Sequence, residues 1–84
     1  MTPEETILIC AVRYALGRMS YVVSDVCRYA ASQKDKLSKN CINVIVRDIE
    51  EELEFYHRAG HTLGMECDEK QWLNLRDILK EGLE

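Results

Sequence analysis

The side chains that could do chemistry gather in three places. Arg13, Tyr14, Arg18, Tyr21 and Arg28, joined by Tyr29, crowd one short stretch near the N-terminus. Arginine and tyrosine are enriched at the anchor points of protein interfaces, and guanidinium groups match carboxylates and phosphates. The same residues could instead brace a turn. Arg13 or Arg18 would then pair with Asp25 or with a carboxylate further along, while the tyrosines cover the edge of the core. The second place is acidic: Asp48, Glu50, Glu51, Glu52 and Glu54 fall within seven positions. Such a run is ordinarily a solvated helix face. Its sharper use would be to imitate nucleic-acid phosphates in a basic channel of another protein. The third place is His57 and His61, at the i, i+4 spacing of a two-histidine metal site. Gly60 interrupts that pair, and Arg58 stands where an HExxH motif needs glutamate. No metal or other cofactor is expected. The chain also has no Gly-rich phosphate loop, no GxSxG and no Cys/His dyad spacing, so it reads as a non-enzyme.

These residues need elements to hold them. Thr2-Pro3-Glu4-Glu5 is a helix start, with Thr2 as N-cap, Pro3 in the first turn and Glu5 closing a capping box. The first helix is expected over residues 3–16, with Leu8, Ala11, Val12 and Ala15 as its stripe. Ile7, Ile9 and Cys10 widen that stripe, so the helix is either central or keeps one face for a partner. Gly17 is expected to stop it in a left-handed conformation, and Ser20 to cap the next. That leaves a tight corner before a second helix at 21–32. A polar loop anchored by Leu37 and capped by Ser38 precedes the third helix, 39–59, where Ile42, Ile45, Val46, Ile49, Leu53 and Tyr56 keep the helical repeat. After Gly60, a connection pinned by Leu63 and Met65 leads to a last helix at 69–82. Asp68 is its expected N-cap, Gln71 the capping-box partner, and Cys67 with Trp72 a hydrophobic staple. The expected architecture is a single all-α domain over residues 1–84, a bundle of about four helices.

Composition narrows the function. The 84 residues carry a net charge of −4. It is divided unevenly: five basic against four acidic side chains in residues 1–36, and six against eleven thereafter. The acidic half repels phosphate at long range, so a nucleic-acid surface would have to lie at the first corner. The helix–turn–helix spacing there fits at the turn glycine and at Val23. It fails at Arg13, where a small residue is usual, and at Asp25, where a base-reading helix favours a donor or amide. No apolar run is long enough for a membrane span, and the acidic N-terminus lacks the basic region of a signal peptide, so a cytoplasmic protein is expected. Cys10, Cys27, Cys41 and Cys67 are widely spaced on apolar stripes and read as reduced packing residues. A chain this short buries little core, which leaves self-association open.

Two motifs stand out: Arg13-Tyr-Ala-Leu-Gly-Arg-Met-Ser-Tyr-Val-Val23, and Leu63-Gly64-Met-Glu-Cys67-Asp68-Glu-Lys-Gln-Trp72-Leu-Asn-Leu75. Together they resemble a signature of small bacteriophage and prophage proteins. The resemblance implies a role in phage biology. Proteins of that kind and size often inhibit host defences or modify host enzymes, and no residue-level chemistry transfers with the likeness. The leading expectation is a non-enzymatic phage protein in the bacterial host cytoplasm. It would bind a host protein, as an anti-CRISPR-like inhibitor of a nucleic-acid-handling complex. Its contacts would be the acidic face (Asp48, Glu50, Glu51, Glu54) or the corner (Arg13, Tyr14, Arg18, Tyr21, Arg28). The alternative is a small regulator that binds nucleic acid through the corner.

Overall fold

The computed structural model describes residues 1–18, 21–62 and 66–83. The protein is all-α: α1 spans Pro3–Ala15, α2 Tyr21–Ser32, α3 Lys39–Arg58 and α4 Glu66–Glu81, with one 3₁₀ turn at Lys34–Lys36. No strand occurs among the described residues, and none of the described helices is long and apolar enough to cross a membrane. One apolar cluster draws on all four helices. Leu8, Val12 and Ala15 meet Val23, Cys27 and Ala30, with Cys41, Ile45, Ile49 and Leu53 of α3 and Trp72, Leu75 and Leu79 of α4. Trp72 is fully buried, and its indole N–H has no hydrogen-bond partner among the described residues.

Each helix has two main neighbours. α1 packs on α2 and α3, and α4 packs on the same two. Going round the bundle, the order is α1, α2, α4, α3. Side-chain contacts give the directions. Glu5 meets Ser38, and Arg13 meets Asp48, so α1 and α3 run parallel. Ser24 meets Gln71, and Lys34 just beyond α2 meets Glu81, so α2 and α4 are parallel too. His57 with Glu69, and Glu50 with Lys80, make α3 and α4 antiparallel.

The start of α1 is the expected capping box. Glu5 donates its amide to Thr2 Oγ1 at 3.1 Å, and the Thr2 amide donates to Glu5 Oε1 at 2.9 Å. The second carboxylate oxygen goes elsewhere. Glu5 Oε2 accepts the amide of Ser38, the N-cap of α3, at 2.7 Å. One buried carboxylate therefore serves the starts of two parallel helices, where both dipoles present their positive ends. These hydrogen bonds, the Thr2 amide first, lower the Glu5 carboxyl from 4.5 to about 2. Ser38 caps α3 as expected, accepting from the Cys41 amide at 3.2 Å.

Helix ends depart from expectation at four points, one of them the end of α4 at Glu81, a single residue early. α1 stops at Ala15, one residue early. Leu16 leaves helical space at φ −58°, ψ 124°, Gly17 sits at φ +84°, and the Arg18 amide donates back to the Ala15 carbonyl at 2.9 Å. This is a type II turn, in which the third residue needs positive φ and hence glycine. α3 ends at Arg58 with Ala59 as C-cap. Gly60, at φ +79°, donates to the His57 carbonyl, and His61 donates to that of Tyr56, a Schellman closure. α4 begins at Glu66, three residues before its expected start. Asp68 is therefore a fully buried residue of the first turn, not the N-cap, and Cys67 is exposed, not a staple. Three acids near that helix start, Glu66, Asp68 and Glu69, favour the dipole and let the helix begin early. The expected cap Ser20 and the anchors Leu63 and Met65 lie outside the described residues.

Two outcomes follow. A Cβ on Gly17 would sit 3.1 Å from Tyr56 Oη, whereas one on Gly60 meets nothing within 4 Å. Gly60→Ala should cost about 1–2 kcal/mol in urea unfolding for its left-handed backbone alone. Gly17→Ala should cost more, and adding Tyr56→Phe should recover the excess. Glu5 fixes an acid limb. Its folded value lies below the ordinary one, so its stabilisation is complete above about pH 4.5 and disappears as pH falls towards 2. Glu5→Gln should lower the thermal midpoint at neutral pH and flatten its fall between pH 5 and 2.

Candidate protein-binding surface

The corner residues are held by the end of α1, the type II turn and the first turns of α2. Arg13 turns inward along the surface to α3, where its Nε donates to Asp48 Oδ2 at 2.7 Å. Asp48 is 13% exposed and Arg13 57%. The contact raises the guanidinium pKa, the hydrogen bond donated to Asp48 being the main cause. One member of each candidate site is thus committed to the other, and this pair braces α1 on α3. Arg18 lies over the Tyr14 ring, 4.8 Å from its centroid, a cation–π contact. Tyr21 is 76% exposed, and Tyr14 and Tyr29 are also exposed. Arg28 reaches Asp25 one turn earlier at 3.7 Å, with both side chains mostly in water. An exposed pair of that kind contributes about 0–1 kcal/mol and yields readily to a better partner.

The acidic face has its own cations. Besides Asp48 with Arg13, Glu50 pairs with Lys80 of α4 at 3.3 Å, Glu51 with Arg47 at 4.0 Å and Glu54 with Arg58 at 2.7 Å. Every carboxylate named for the acidic site has a basic neighbour. Pairing spaces the charges and reduces the field that a phosphate mimic would need. The groove between this face and α4, about 450 Å³ in volume, is lined by both members of the Glu50–Lys80 and Glu51–Arg47 pairs.

His57 and His61 do not share a helix face, because the chain reverses through Gly60 between them. His57 Nε2 is hydrogen-bonded to Glu69 of α4, so it ties α3 to α4. No group of three metal-capable side chains comes together among the described residues.

Two polar features were not legible beforehand. One is the Glu5–Ser38 link. The other lies between α2 and α4, where Ser24 Oγ donates to Gln71 Oε1 at 2.7 Å and Gln71 Nε2 donates to Asp68 Oδ1 at 3.5 Å. A groove of about 310 Å³ opens beside them, over Cys27, with Arg28 and Asn74 at its edge. Its spacing from Asp68 gives Gln71 the look of a capping-box partner. Only the packing of α4 on α2 shows that it bridges helices.

The cysteines divide in two. Cys27 and Cys41 are buried, and Cys10 and Cys67 are exposed, which corrects the reading of all four as packing residues. Burial, aided by the Asp68 carboxylate, pushes the Cys27 thiol up to about 12. Burial and the Glu5 carboxylate push Cys41 up to about 11. In the native protein at pH 8, two thiols should react promptly with an aromatic disulfide reagent, and the other two only on unfolding in guanidinium.

None of the family models, curated proteins or solved structures compared with this chain matches it significantly. No site residue is therefore inherited from a relative, and the surface has to be read on its own chemistry.

Proposed function

We propose that this chain is a non-enzymatic phage or prophage protein that acts by binding a host protein, as an anti-CRISPR-like inhibitor of a nucleic-acid-handling complex. The observation that supports this reading is the exposed aromatic and cationic surface of α2. Tyr21 and Tyr29 are exposed on the same helix as Arg28, whose only described ion pair is a loose, exposed one. Tyrosine offers a large, stiff contact area at low entropic cost, and arginine adds directional donors; together they are the usual anchors of a protein interface. The corner is preferred to the acidic face because Lys80, Arg47 and Arg58 stand among Glu50, Glu51 and Glu54 and lower the net negative field that a phosphate mimic needs. Within the corner, Arg13 is the weakest candidate, since Asp48 already holds it. The phage-like motif contributes the host context. Nucleic-acid binding through Arg18 and Arg28 is the second reading, favoured by their exposure and by the weakly basic N-terminal half.

A pull-down from bacterial lysate, with and without nuclease, separates these readings. The wild type would be compared with Tyr21→Ala/Arg28→Glu and with Glu50/Glu51/Glu54→Lys. A nuclease-resistant partner should be retained by the Lys variant and lost by the α2 variant. Loss with the Lys variant alone would move the contact to the acidic face. Capture only through nucleic acid, weakening steeply with salt, would overturn the protein-binding reading.

A further inference from the structure

α1 keeps an apolar face that the bundle does not use. Leu8, Ile9, Val12 and Ala15 are buried, while Ile7 is 69% and Tyr14 61% exposed, with Cys10 exposed between them. Pro3, Ile7, Cys10 and Tyr14 follow one another at intervals of four, three and four. That alternation is the seam spacing by which one helix packs along another. The ends of the seam carry opposite charge. Glu4 flanks it in the first turn, and Arg18, resting on the Tyr14 ring, closes the far end. Neither Glu4 nor Arg18 has an ion pair among the described residues.

A helix face with an acid at one end and a base at the other is complementary to itself only when reversed. Parallel pairing would set Glu4 against Glu4 and Arg18 against Arg18, whereas antiparallel pairing brings each Glu4 beside the Arg18 of the other copy. We infer that the protein self-associates through α1, two copies packing antiparallel along Ile7, Cys10 and Tyr14 with Glu4 and Arg18 paired at both ends. Cys10 then falls near the two-fold axis. The seam is about 20 Å long and offers few large side chains. The dimer is therefore a weak, concentration-dependent one, well short of the roughly 800 Å² per partner of a stable interface. It takes up Tyr14 and Arg18 of the corner but leaves Tyr21, Arg28 and Tyr29 uncovered, so the α2 variant Tyr21→Ala/Arg28→Glu, which removes host binding, should leave the dimer intact.

Sedimentation equilibrium across the micromolar to millimolar range tests this, with charge swaps and with cross-linking by a short bis-maleimide in a Cys67→Ser background. Glu4→Arg or Arg18→Glu alone should weaken the dimer about three- to tenfold, and the double swap should restore it. Ile7→Glu, at a site already in water, should abolish it with the helical circular-dichroism signal intact. Cross-linked dimer should form in the Cys67→Ser protein and vanish when Cys10→Ser is added. A monomer throughout the range, no cross-link at Cys10, or a double swap no better than the singles would overturn the inference.

Discussion

Two parallel helices that start side by side bring two positive dipole ends together, and something negative has to stand between them. The bundle has this arrangement twice. α1 and α3 begin together, and Glu5 stands between their starts, accepting amide hydrogens from both Thr2 and Ser38. α2 and α4 run parallel on the other side, and there the fully buried acid is Asp68, reached from Ser24 through Gln71. A carboxylate withdrawn from water is costly unless its oxygens are engaged. Glu5 meets that condition with backbone donors at both oxygens, which turns a buried charge into a joint.

The rest of the α1–α3 contact follows from that joint. With the two starts held level, Arg13 arrives beside Asp48 and the turn at Gly17 arrives under Tyr56. These contacts decide what the corner can offer a partner. Arg13 is drawn to the α3 flank, Arg18 settles on Tyr14, and the freest aromatic and basic groups are those of α2. They also spend one carboxylate of the acidic run. The corner and the acidic helix are consequently two parts of one braced surface and not independent candidates.

The helical order was legible in the chain because local signals agreed with one another. Thr2 and Ser38 caps, Pro3 in the first turn, the glycines after α1 and α3, and the 3.6-residue repeat of Ile42, Ile45, Val46, Ile49 and Leu53 all pointed to the same boundaries. α4 begins three residues before its expected start because Asp68 and Gln71, which have the spacing of a capping box, lie inside the helix. The same two side chains also suit a bridge within and between helices, and spacing alone does not separate the two uses. Cys10 and Ile7 were ambiguous for a related reason. On a helix apolar nearly all round, composition does not tell which side will be left over once the neighbours have chosen theirs.

The fold class, the number and order of helices, their ends to within one residue except the start of α4, and most core residues were readable from the chain, since each depends on interactions within a few positions. Packing between helices was needed to decide the parallel pairing, the double duty of Glu5, the cations that meet Asp48 and Glu50, and the face of α1 that stays in water. Most of those outcomes join groups dozens of residues apart. They depend on which helix becomes whose neighbour, and that is set by how four apolar stripes share one core rather than by any stripe read singly.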